Sequence, residues 1–185
     1  LDTILELAQR AAALIDRMRV FGRGAEAPLQ PVNIHALIER VAERMAPRLA
    51  ATATRPAITF SRRMPDALPN ALARPLPLEQ ALTNLLVHAA DAFDAMEQHP
   101  ARPLLIFTAE AIPGAIRLTF ADNAGPVTQE EVRRLFEPFF AARHVPQPSA
   151  LALSAAYGIL HDAQASLSAQ PTPDGLSIEV TLRGG

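Results

Sequence analysis

From Leu118 to Phe140 the chain reads LTFADNAGPVTQEEVRRLFEPFF. Few folds place a strand, a polar break, a capped helix and an aromatic turn in so short a distance. Leu118 and Phe120 alternate with Thr119 in strand fashion, and the strand ends in Asp122-Asn123 before the chain turns through Ala124-Gly125-Pro126. Thr128 with Glu131 three residues on forms a capping box, so a short helix begins there. On these residues alone, an Asp at a strand end before a Gly-containing turn reads first as an Asx-turn and second as a ligand contact.

The flanking segments supply the other elements. Over Leu1 to Val20, Leu1, Ile4, Leu5, Ala8, Ala11, Ala12, Ile15 and Met18 form a heptad-like stripe widened by Leu7 and Leu14. Such a stripe suits a helix of a four-helix bundle supplied by a dimer of hairpins, or a helix packed on its own domain. Phe21 to Pro31 holds two Gly and two Pro and reads as a linker. Asn33 caps a predicted helix with Ile34, Leu37, Ile38, Val41, Met45 and Leu49 on one face, and His35 in its first turn reads as a surface residue. Ala57 to Arg62 is a predicted strand. Pro65 to Pro77 is a proline-punctuated connection with a short strand near Ala71.

A long helix is expected over Leu78 to Met96, burying Leu78, Leu82, Leu85, Leu86, Ala89, Phe93 and Met96. Gln80, Asn84, His88 and Asp91 line a second, polar stripe, which periodicity alone reads as a solvated face. Leu104 to Glu110 and Ala115 to Ala121 predict an antiparallel hairpin, Ala150 to Asp162 a helix, and Ser166 to Gln170 with Leu176 to Leu182 a closing hairpin turned at Asp174-Gly175. The order predicts an α/β (α+β) fold, a two-layer sandwich of a mixed sheet covered on one face by helices.

At 185 residues the chain accommodates one compact domain plus an appended helix. The net charge of -2 and the scattered basic residues, all of them Arg, argue against a nucleic-acid or anionic-membrane surface. Having no cysteine suits a cytoplasmic protein, and no apolar run approaches the ~20 residues of a membrane span. The five His are scattered and no Ser lies in a nucleophile-elbow context, so no hydrolase constellation and no catalytic residue is assigned. Opening on Leu1 rather than Met is expected of a piece of a longer protein, with any sensor or membrane part before it.

Leu82 to Phe93, Asp122 to Pro126, Leu135-Phe-Glu-Pro-Phe-Phe140 and Ser149 to Ile159 together resemble the four sequence boxes of the ATP-binding domain of sensor histidine kinases, the Bergerat-type fold shared with gyrase B and Hsp90. Within that family, Leu14 to Gly22 and Pro31 to His35 look most like the nitrogen-regulation sensor kinases. The resemblance implies that residues 1–22 are the second helix of a dimerisation and phosphoacceptor hairpin, 23–32 a linker and 33–185 the ATP-binding domain. It also implies that the polar stripe faces a nucleotide cleft, that Asp122 accepts a hydrogen bond from the adenine amine, and that Asn84, His88, Asp91, Ala124, Gly125, Ala150 and Ala152 stand at nucleotide-facing positions.

Several of these positions depart from the family. His88 stands where the family has an Asn that holds Mg²⁺, and imidazole is a poor ligand for that hard cation. The Asp-x-Gly-x-Gly turn is Asp122-Asn123-Ala124-Gly125-Pro126, in which Gly125 replaces the lost glycine only if the turn is rebuilt. The later Gly-x-Gly is Ala150-Leu151-Ala152, and Ala141-Ala142-Arg143 replaces a common Thr-Thr-Lys. The lid between Arg143 and Ser149 is short and carries Pro146 and Pro148. Glu137 belongs to the retained aromatic turn and reads as a backbone cap in preference to a partner contact. The expectation is a sensor-histidine-kinase-like two-component protein with a degenerate site for ATP or ADP and Mg²⁺, His88 being a weak metal position. It would be a homodimer through residues 1–20, docking a response regulator receiver domain, with no nucleic acid or membrane contact in this piece. An active kinase transferring phosphoryl from ATP to a His upstream is the alternative. A stand-alone ATPase of the gyrase or Hsp90 kind is argued against by the bundle-type helix.

Overall fold

The computed structural model describes residues 28–185, so the expected bundle helix and dimer contacts of residues 1–22 and the first part of the linker lie outside the described residues. Asn33 caps helix α1 (Ile34–Leu49), its side chain accepting from the Ala36 N–H at 2.9 Å, and all six residues of the expected apolar face are buried. Gln30–Val32, read as the end of the linker, forms strand β1, paired antiparallel with β3 (Ala71–Ala73). Pro31 does not interrupt it because a two-stranded ribbon has free edges where a missing N–H is harmless. The ribbon is tied to the chain end by the Gly185 N–H donating to Asn70 O at 2.8 Å.

The main sheet has five strands in the order β2 (Thr59–Arg63), β4 (Leu104–Ile112), β5 (Ala115–Asp122), β7 (Leu176–Arg183) and β6 (Ser166–Pro171). β2 runs parallel to β4 and the other neighbours are antiparallel, so the sheet is mixed as the sequence predicts. Alternate residues Leu105, Phe107, Ile116, Leu118, Ile178 and Val180 are buried, and Phe107 meets its cross-strand partner Phe120 with ring centroids 4.9 Å apart. This face is covered by α1, α2 (Pro75–Asp94) and α4 (Gln147–Asp162).

Two helices begin three residues earlier than expected. Pro75 occupies the first turn of α2 and Pro148 that of α4, where the N–H that proline lacks has no intrahelical acceptor, so these prolines start helices instead of delaying them. One buried side chain organises the far end of this layer. Arg55 donates to Asp94 Oδ1 at 2.6 Å, to Pro56 O at 2.8 Å, to Arg48 O at 2.9 Å and to Ala50 O at 3.2 Å. It thereby satisfies the carbonyls left free where α1 ends and ties them to the end of α2. Because three of these acceptors are main-chain groups shielded by the Arg55 stem, Arg55→Ala is expected to lower the unfolding free energy by ~1–3 kcal/mol, read as a lower urea midpoint at unchanged slope.

Candidate functional site

The helix α2 is buried nearly all round in its second half, so its polar stripe is not solvated. Asn84 accepts from the Gln80 side chain at 2.8 Å, one turn back on the same helix. Asp91 is ion-paired with Arg48 of α1, and Arg48 also approaches Asp94 at 3.7 Å. Asp91 is therefore engaged at the contact between α1 and α2. His88, between them, is only 1% exposed; its Nδ1 lies 3.5 Å from Ser149 Oγ and its Nε2 has no hydrogen-bond partner. Burial first, and the nearby Arg143 charge second, push its pKa from 6.5 down to about 3, so the imidazole is neutral.

At the end of β5, Asp122 Oδ1 accepts the Ala124 N–H at 3.0 Å, the Asx-turn read from the sequence. Asn123 fastens the same strand end to the start of β4: it accepts the Leu104 N–H at 2.8 Å and donates to Arg102 O at 3.0 Å. Ala124 is buried, and Gly125 takes φ +85°, the left-handed region that favours glycine. The Gly125 N–H donates to Asp174 O at 3.0 Å. This brings the β6–β7 turn so close that a Cβ on Gly175 would sit 2.0 Å from Asp122 O.

The strap joining α3 (Gln129–Arg134) to α4 completes the site. Thr128 and Glu131 form the expected capping box. The free oxygen of Glu131, Oε1, accepts the Arg143 N–H at 3.3 Å. The Thr128 N–H chiefly, with the Thr128 hydroxyl and Arg143, holds Glu131 below the usual carboxylate range. Arg143 adopts left-handed φ 54°, ψ 27°, and its guanidinium forks onto Asp122, Nη1 to Oδ1 at 2.6 Å and Nη2 to Oδ2 at 3.3 Å. Both side chains are 5% exposed. Glu137 does not cap a backbone group; it accepts from Arg134 at 3.1 Å on the surface, because the helix presents that cation one turn back. Of the aromatic turn, Phe136 stacks on Tyr157 at 5.3 Å and Phe140 lies under the Arg134 guanidinium at 4.3 Å, while Phe139 is exposed.

Asp122, Arg143, His88 and Ser149 thus converge from β5, the strap, α2 and the start of α4. Ala150 and Ala152 lie in the body of α4, buried and with ordinary helical φ. The start of that helix has few donors left: Pro148 lacks an N–H, and the Ser149 and Ala150 N–H groups both bond Pro146 O, at 2.9 and 3.3 Å. Among the described residues no group of three His, Asp or Glu side chains is placed to hold a metal ion. The donors gathered at this point are a neutral imidazole, a hydroxyl and an internal ion pair.

Compared with curated proteins, the chain is 27% identical over 183 residues to the C4-dicarboxylate transport sensor protein DctB of Rhizobium meliloti, a match covering 99% of this chain and 28% of that protein. It is 24% identical over 183 residues to the nitrogen regulation protein NtrY of Azorhizobium caulinodans, covering 98% of this chain and 23% of that protein. The chain therefore spans about a quarter of the length of these relatives. Among solved structures, the mycobacterial sensor histidine kinase MprB superposes with a TM-score of 0.68 at 22% identity, covering 84% of this chain and 97% of that one. No protein-family model matches. The fold is that of the histidine kinase ATP-binding family.

In the terms of the histidine kinase fold, the polar stripe of α2, the Asp122 turn and the start of α4 are the expected box positions, and three residues with no role assigned from sequence stand among them. In sequence, Arg143 reads only as a replacement for Lys, Gly175 only as a turn residue, and Ser149 only as the start of a box. A lone cation in the short strap that follows the Asp122 turn is the one sequence signal for the first; none exists for the second. For His88 the folded pKa lies below the unfolded value, so its contribution to stability is full above pH 6.5 and is lost as pH falls toward 3. The slope is at most ~1.4 kcal/mol per pH unit. Unfolding free energies of wild type and His88→Gln, compared between about pH 6.5 and 5, should diverge by that dependence, with the variant the flatter of the two.

Proposed function

We propose that this chain is the ATP-binding-domain portion of a sensor-histidine-kinase-like two-component protein whose nucleotide site is degenerate. It serves as a dimeric docking or phosphotransfer scaffold for the receiver domain of a response regulator. The supporting observation is the Asp122–Arg143 pair: the carboxylate that the resemblance assigns to the adenine amine is bonded on both oxygens by an internal guanidinium and is out of water. A neutral His88 at the position of the family's magnesium-holding Asn, and the occupied amides at the start of α4, support the same reading. The dimer would form through residues 1–20 in the cytoplasm. Light scattering on chains with and without residues 1–20 tests that part, and equal monomer masses would sink it.

The active-kinase reading draws on a different observation. Asp122 is kept and Gly125 still supplies a positive φ in the turn, so a rearranged strap would restore an acceptor for a nucleobase. Calorimetric titration separates the two. ATP is expected to bind weakly or undetectably, with Mg²⁺ adding little, since the lost metal ligand and lost amide donors each cost ~1–3 kcal/mol. Tight, Mg²⁺-dependent binding would return the active kinase to first place.

A further inference from the structure

Three features of Arg143 go together. Its backbone holds a left-handed conformation, which a non-glycine residue keeps only where its surroundings enforce it. Its N–H is fixed by Glu131 Oε1, the same carboxylate that caps α3, so the strap is anchored at its base. Its guanidinium leaves the strap to form a two-bond fork on Asp122, while its Nε is buried with no partner. A guanidinium can also fork onto a carboxylate through Nε and one Nη. This one is instead placed edge-on, offering two terminal N–H groups in a plane, and a flat ring bearing an amino group would approach the same carboxylate in the same way.

We propose that Arg143 is a built-in occupant of Asp122: a latch that holds the strap of residues 135–146 down on the end of β5 and competes for that carboxylate with an aminopurine nucleotide. The ligand class rests on the reading of Asp122 as the adenine acceptor; the latch rests only on the geometry above. When the guanidinium leaves, Asp122 must be met by water or by a ligand, so opening of the strap and binding are coupled. The apparent affinity of any nucleotide is reduced by the fraction of molecules that are unlatched. Gly175 favours the closed form from the other side, because its missing side chain lets the β6–β7 turn rest directly on the Asp122 main chain.

The test uses the full chain as wild type, Arg143→Ala and the double variant Arg143→Ala with Asp122→Asn. Hydrogen exchange without ligand reads the latch, and a fluorescent ADP analogue competed by ADP reads the site. In Arg143→Ala, amides of residues 135–146 should exchange at least ~10-fold faster than in wild type while those of β4, β5 and β7 keep their protection. The analogue should bind that variant at least ~10-fold more tightly than wild type, and the added Asp122→Asn change should remove the gain. Unchanged exchange in the strap overturns the latch. Should the single variant not fold, the double variant, which leaves no unpaired charge at this point, decides the same question: a strap as protected as in wild type overturns the proposal. A loosened strap that still ignores the analogue keeps the latch and overturns Asp122 as a nucleotide acceptor.

Discussion

A carboxylate that is almost wholly out of water cannot stand at the end of a strand unless a positive group meets it there. Asp122 is in that position, and much of the surrounding backbone follows from the need. Taking either partner from a buried pair leaves an uncompensated charge and costs ~3–5 kcal/mol, several times the ~1 kcal/mol of an ordinary hydrogen bond. That difference suffices to hold Arg143 at a left-handed φ, which costs only ~1–3 kcal/mol. Glu131 is drawn in as well. One of its oxygens caps α3 and the other receives the Arg143 N–H, so a capping box becomes the anchor of the strap.

The second wall of the site is governed by the same constraint on buried charge. α2 places Asn84, His88 and Asp91 in the interior, and each is handled differently. Asn84 is satisfied within its own helix, Asp91 is neutralised by Arg48, and His88 stays uncharged. A protonated imidazole beside the Arg143 guanidinium would place two cations against one carboxylate with little water between them. The neutral ring is the form that burial and the neighbouring guanidinium favour.

Elements set by local chemistry are legible in the sequence. The Asn33 cap and the face of α1, the capping box at Thr128, both hairpins and the mixed sheet follow from periodicity and turn residues, and all appear. The early starts of α2 and α4 escape such a reading because a proline run looks like a stop until one asks whether the proline stands in a first turn. What cannot be read are pairings between segments far apart: Arg143 with Asp122, twenty-one residues back along the chain, Gly175 against the same residue, and Arg55 closing the ends of two helices. The resemblance points to Asp122, His88 and the start of α4; only the three-dimensional packing reveals that Arg143 pairs with Asp122. The polar stripe is ambiguous for the same reason, since periodicity says which residues share a face and not what covers that face.

The alanines at 150 and 152 bear on how α4 begins. Read as glycines lost from a phosphate loop, they suggest added methyl groups obstructing an open backbone. In the structure they sit in the second turn of a continuous helix, at ordinary φ, with their side chains buried. Glycine there would relieve no strain and would cost ~1 kcal/mol per position in helix propensity. Alanine and the first-turn Pro148 therefore favour extending α4 back to Gln147, which shortens the strap to the point where Arg143 lies within reach of Asp122. The same extension uses up the amides that a looser start would have left open. The buried ion pair and the longer helix thus reinforce each other.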